Sequence, residues 1–231
     1  MGNPHGMDET ARGVLFDVDG TLVDTNYLHA VCWWEAFRQG GHTVPMARIH
    51  RAIGMGSDKL IGHLVGPDRD TSQDGIMSAA HLALYATYWE RLRPLPGAAD
   101  LLRACAGRGL RVVLASSAST DELAVLRRAI DADDVVHTAT SASDAGTSKP
   151  DPDILAVALR RSGLSADRAA LVGDSIWDVA AAERAGLPCV AVTCGGTSAA
   201  ELREAGAVET YDDPAALCAA LEHSAIAKIV G

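Results

Sequence analysis

Gly13-Val14-Leu15-Phe16-Asp17-Val18-Asp19-Gly20-Thr21 is an apolar run that ends in two carboxylates one residue apart. The run reads as a buried strand. Alternate residues of an extended segment point the same way, so Asp17 and Asp19 are expected to reach one site. Two carboxylates this close repel unless a cation lies between them or one is protonated. Either outcome serves catalysis, as a metal-bound nucleophile or as an acid of raised pKa. Asp-Gly-Thr is also ordinary turn chemistry, so the reading depends on what the rest of the chain supplies.

Leu110 to Ser116, Ala169 to Asp174 and Pro188 to Thr193 read as further buried strands. The amphipathic stretches Gly97 to Arg108, Asp121 to Ile130, Pro152 to Ser162, Ile176 to Ala185 and Pro214 to Leu221 fit helical crossovers, several ending at Gly as helices do. This alternation predicts an α/β fold, a doubly wound parallel sheet with function at the strand carboxyl ends. One interval breaks it. From about Thr25 to Arg93 the patterns are helical (Asn26 to Gln39, Pro45 to Ile53, Ser57 to Val65, Ser72 to Arg91), and Pro94, Pro96 and Gly97 mark the return to the sheet. Nearly seventy residues, roughly, are too many for a simple loop. The expected organisation is a core of residues 12–24 and 94–231 with a helical cap of residues 25–93 inserted on two linkers that can hinge.

Apolar residues make up 48% and charged residues 22% of the 231, which suits a globular protein with a sizeable core. The formal charge is −10 with no basic run, which argues against nucleic acid as a partner. An acidic protein that binds an anion must supply a local cation, either a metal or a well-placed lysine. The five cysteines, Cys32, Cys105, Cys189, Cys194 and Cys218, show no metal spacing and read as reduced core residues, which points to the cytoplasm. No apolar run approaches the ~18 residues of a membrane span, and the start lacks an apolar signal core. Residues 1 to about 11 are expected to be poorly ordered.

Three more segments sit at expected strand ends or helix starts. Val112 to Ser117 closes a strand with hydroxyls, Ser148-Lys149-Pro150 sets a lysine before a helix, and Gly173-Asp174-Ser175 with Asp178 closes another strand with carboxylates. Each alone has an ordinary reading as a cap, a solvated charge or a first-turn acid. In this order they resemble the four motifs of the haloacid dehalogenase superfamily, and the helical insert resembles the cap of its phosphoglycolate phosphatase and beta-phosphoglucomutase-like members. That resemblance implies a magnesium-dependent phosphatase acting on a small-molecule phosphate ester. Asp17 would attack phosphorus; Asp19 would protonate the leaving oxygen and then activate water. Ser116 would hold a phosphoryl oxygen, with Thr21 and Ser117 beside it, and Lys149 would neutralise developing charge. Magnesium would sit on the Asp17 carboxylate, the Asp19 backbone carbonyl and Asp174, with Asp178 in direct or indirect contact.

Elementary chemistry agrees with these roles, because phosphoryl transfer needs positioning and charge stabilisation above all. A hard cation with oxygen ligands supplies both. Asp24 reads as the N-cap of the first inserted helix. In the insert, His29, Ser57 and Lys59 are the candidates for contacting substrate, with Trp33 and Asp58 near them; the remaining histidines are assigned nothing. Two alternatives compete. A signalling receiver domain also phosphorylates an Asp, but its acidic pair precedes that Asp by a strand and a helix. A sugar-phosphate mutase shares the core motifs, but at the position where the mutases grip the distal phosphate with a cap arginine, an ungapped alignment places Ser57.

Overall fold

The computed structural model describes residues 10–230, so the expectation of poor order falls mostly on residues outside the described ones. Ala11, inside that expected stretch, is buried in the core. Six strands, β1 (Gly13–Phe16), β2 (Arg111–Ala115), β3 (Val136–Thr140), β4 (Ala169–Gly173), β5 (Cys189–Val192) and β6 (Glu209–Tyr211), form one parallel sheet in the order β3-β2-β1-β4-β5-β6. Phe16 lies opposite both Leu114 and Val172 in the register. The residues that follow β1, β2 and β4 therefore emerge together at one edge, where the winding reverses direction and α/β sheets carry their sites.

Between β1 and β2 come α1 (Asn26–Gln39), α2 (Met46–Ala52), α3 (Ser57–Val65) and α4 (Asp74–Ala86), close to the four expected helices. The last of these starts after a 3-10 turn, Thr71–Gln73. They share an apolar cluster that includes Trp33, Phe37, Ile49, Leu60, Leu64 and Met77. The sheet has its own cores, one of which also takes in Cys32 of α1 and Tyr85 of α4. Val14 and Phe16 face α5 (Ala98–Gly107), α6 (Thr120–Ile130), α10 (Pro214–Ala219) and α11 (Ala225–Val230). Leu15 faces α7 (Asp153–Ser162), α8 (Ile176–Ala185) and α9 (Ala199–Glu204), as the two-residue period of a strand requires. The chain enters and leaves the insert side by side: Asp24 N–H donates to Arg93 O at 3.2 Å and Leu95 N–H to Leu22 O at 2.8 Å.

Sequence patterns do not show β3 and β6. Both are edge strands, half-exposed, and neither Val136-His137-Thr138-Ala139-Thr140 nor Glu209-Thr210-Tyr211 makes an apolar run. The short α9 and α11 escape because six residues each make under two turns, too few to repeat the ~3.6-residue period. Asp24 does not cap α1; that position belongs to Thr25, whose side chain makes no capping bond because its hydroxyl is committed elsewhere.

Candidate functional site

Asp17 is the first residue beyond β1, and its N–H donates to Val172 O at 2.9 Å, continuing the sheet pairing by one residue. The chain then doubles back through Gly20, whose φ is +76°, a conformation that favours glycine. Beyond β4, Asp174 and Ser175 lead into α8, where Ser175 and Asp178 form a reciprocal capping box. Lys149, from the loop before α7, is 1% exposed; its ammonium pairs with Asp17 Oδ1 and lies 2.7 Å from Asp178 Oδ1. Thr21 Oγ1 donates to Asp174 Oδ1 at 3.0 Å and reaches Asp17 Oδ2 at 3.4 Å. Asn26 Nδ2, on the first turn of α1, donates to Asp174 Oδ2 at 2.7 Å and to Gly195 O at 3.0 Å.

Asp17, Asp174 and Asp178 each place a carboxylate oxygen within 4.8 Å of the others, and all three are buried. Burial pushes Asp17 up to about 7; Lys149 opposes that rise while Asp178 and Asp19 add to it. Asp174 is pushed well above the usual carboxylate range by burial, Asp178 and Asp17. Burial alone would lower Lys149, but the two carboxylates outweigh it and hold the ammonium charged. Three acids against one lysine leave an excess of negative charge among oxygen donors only, a set that suits a hard divalent cation. Gly195 keeps the site open, since a Cβ there would overlap the Asp174 carboxylate.

A raised carboxyl pKa stabilises the fold below its unfolded value, near 4, and that contribution is lost as pH rises through the folded value. With chelator present, lowering the pH from 8 to 6 should therefore stabilise the wild type, relative to D17N, by about 1 kcal/mol. Calorimetry of both proteins reads this difference. A parallel pH dependence in the two would show that Asp17 is not the titrating group.

Asp19 faces the other side. Thr25 Oγ1 donates to Asp19 Oδ1 at 2.8 Å, and His29 Nε2 lies 3.2 Å from the same oxygen. Burial pushes Asp19 up, but His29 and Thr25 outweigh it and hold the carboxyl below its usual range. His29 is raised in turn, as Asp19 outweighs its own burial. Each thus favours the charged form of the other. His29 stacks on Tyr85 with ring centres 3.9 Å apart, and its Nδ1 lies 3.1 Å from His81 Nε2. His81 stacks on Trp33 at 4.2 Å and is held well below the ordinary histidine range by burial and by His29.

A cleft of about 310 Å³ opens between the sheet edge and the inserted helices, lined by Asp17, Asp19, His29, Ser57 and Ser117 among others. Ser117 Oγ is buried there without a hydrogen-bond partner, free to bind an incoming oxygen. Ser116 is buried behind it, its Oγ accepting from Ala118 N–H at 3.0 Å. Lys59 does not join the lining, because its ammonium pairs with Asp151 across the joint between insert and sheet. Asn26, His81 and Glu122 are the residues that sequence reasoning missed. Asn26 meets Asp174 across 148 positions and His81 meets His29 across 52, distances no local pattern spans. Glu122 shows in sequence only as the partner of Ser119 in a capping box, which it also is.

The family model of haloacid dehalogenase-like hydrolases matches residues 11–186. The chain is 30% identical over 220 residues to a phosphoglycolate phosphatase of Rhodospirillum rubrum, covering 89% of each sequence. Among solved structures it resembles a hydrolase from Pseudomonas syringae with a TM-score of 0.87 and 31% identity, over 92% of this chain and 98% of that one. It also resembles CbbY from Rhodobacter sphaeroides, solved in complex with xylulose-(1,5)bisphosphate, with a TM-score of 0.74 and 26% identity, over 90% and 96%. With the sheet, its winding reversal and the acidic edge of β1 and β4 already in place, these matches show that the chain belongs to the haloacid dehalogenase-like hydrolases, as an enzyme of their phosphatase class.

Proposed function

We propose that the protein hydrolyses small-molecule phosphomonoesters in two steps, with Asp17 transiently carrying the phosphoryl group. The observation that carries this reading is the buried group of Asp17, Asp174 and Asp178, clamped by Lys149 beside the cleft. An Asp17 oxygen attacks phosphorus while the ester P–O bond breaks, and the alcohol oxygen takes a proton from the pair of Asp19 and His29. Water then attacks the same phosphorus as its proton returns to that pair, and Asp17 regains its carboxylate. One side chain thus serves as acid and then base. Ser117 and Ser116 hold phosphoryl oxygens, and Lys149 holds Asp17 in its attacking position. Magnesium bound by Asp17, Asp174 and the Asp19 backbone carbonyl would neutralise the phosphoryl oxygens, with Asp178 orienting Lys149 beside it.

Residues 25–93 act as a cap over the core of residues 12–24 and 94–231, excluding water and contacting the alcohol. Five free cysteines support a cytoplasmic setting. Neither Lys59 nor Ser57 offers the charged grip a mutase needs on a second phosphate, which favours hydrolysis over isomerisation.

The test is phosphate release from a phosphomonoester panel with magnesium and with chelator. Release should require the metal, and D174A should raise the magnesium needed for half-activity about tenfold or more. Full activity in excess chelator would refute the metal role. Hexose 1-phosphates without added bisphosphate should give free phosphate; conversion to 6-phosphates outrunning it would make the enzyme a mutase.

A further inference from the structure

The cleft that would receive the alcohol contains no Lys or Arg among its described lining residues. Its ionisable wall is Asp17, Asp19, His29, His81 and Glu122. His29 is engaged by Asp19 at 3.2 Å, and His81 by His29 at 3.1 Å and by the face of Trp33, so the lining offers an incoming anion no unengaged basic side chain, while Glu122 adds a further acid. Glu122 is 6% exposed and comes from α6, on the core side. The remaining surface is apolar or hydroxylic: Trp33, Met55, Leu60 and Leu82, with Ser57 and Ser78.

The lysine and arginines of the insert are engaged away from this lining, Arg38 over Trp34, Arg91 over Tyr88 and Arg93 on Leu92 O among them. Lys59 pairs with Asp151, Arg51 with Glu201, and Arg69 with Asp74, while Arg48 donates to Leu64 O. The N-terminus of α3 borders the cleft at Gly56 and Ser57, but Asp58 stands in its first turn and offsets the dipole that would attract an anion. A carboxylate or second phosphate placed here would leave water to meet fixed like charge with no partner, which opposes binding strongly.

We infer that the substrate is the phosphate monoester of an uncharged alcohol, with no second anionic group on the part that enters the cap. This rests on the phosphomonoesterase reading above and narrows it. Hydroxyls of such an alcohol find acceptors in Glu122 and the serines, and its carbon face finds Trp33, Leu60 and Leu82.

The experiment compares, under saturating magnesium, pairs that differ by one anionic group: the near-isosteric 2-hydroxyethyl phosphate and phosphoglycolate, and glucose 1-phosphate and glucose 1,6-bisphosphate. The neutral member of each pair should have the higher kcat/KM by about tenfold or more. In S57R the ratio should move toward the anionic member by about tenfold, since a guanidinium then faces the cleft. Equal kcat/KM within the pairs, a preference for the anions, or an unmoved ratio in S57R would overturn the inference while leaving the phosphatase standing. No phosphate release from any of the four esters, nor from p-nitrophenyl phosphate, would instead bring down the phosphomonoesterase reading and this inference with it.

Discussion

Asp17→Asn is expected to lower phosphate release by about a thousandfold or more while leaving the fold intact, because it removes the attacking oxygen and nothing nearby replaces it. Asp19 points to His29 and Thr25, Asp174 is held by Asn26 and Thr21, and Asp178 is tied into its capping box and Lys149. None of them can turn toward phosphorus without breaking those bonds. The amide keeps the size of the carboxylate, so packing at the end of β1 is preserved. Substituting it also relieves repulsion within the acidic group. D17N should therefore melt at or above the wild-type temperature in chelator, and single-turnover measurements should show no phosphorylated protein. A folded D17N enzyme with near-wild-type turnover would end the case for a covalent step.

Lys149→Ala carries the largest expected effect on stability. Removing one partner of a buried ion pair typically costs about 3–5 kcal/mol, since the remaining charge is left in a medium that solvates it poorly. Here both Asp17 and Asp178 lose their ammonium. The chain should still fold, because a domain of this kind has on the order of 5–15 kcal/mol to lose, but denaturant midpoints in chelator should drop clearly. The deficit should shrink toward pH 6, as Asp17, raised already, takes up a proton. Excess magnesium should restore part of the loss through binding to the folded state alone. Activity should fall even when the metal is saturating. A K149A protein as stable and as active as the parent would reduce this lysine to a loop charge.

Much of this site is legible in the sequence because its chemistry is local to strand ends. Asp17 and Asp19 lie one residue apart, Ser116 and Asp174 each stand just past an apolar run, and the sheet's register brings these ends together. The central strands, buried on both faces, announce themselves as apolar runs, whereas β3 and β6 have one partner strand each and do not. The insert's helices are equally plain from periodicity. What periodicity cannot give is which residue of one helix meets which residue of another. His81 looks like any helical histidine until α4 is laid against α1, and Asn26 looks like an ordinary first-turn residue until Gly195 and Asp174 arrive from the other end of the chain. Lys59 is a different case: its position after Gly54-Met55-Gly56 made it a candidate for contacting substrate, and its ammonium here pairs with Asp151, a partner no local pattern shows.

The seam between the inserted helices and the sheet has its own consequence. It is closed by Lys59 with Asp151, Arg51 with Glu201, His50 Nε2 at 3.0 Å from Gly195 O, and Trp177 Nε1 donating to Arg51 O at 2.9 Å. Apolar packing crosses it as well: Cys32 of α1, Tyr85 of α4 and Leu92 belong to the same buried cluster as Val14 and Phe16, although the cluster around Trp33 is separate. Partly exposed ion pairs are worth about 0–1 kcal/mol each, so these charges add modestly to the buried contacts that hold the joint. Of the contacts at this seam only the charged ones are screened by salt, so whatever share they have in the departure of a bound alcohol should show as a dependence on the ionic strength of the surroundings.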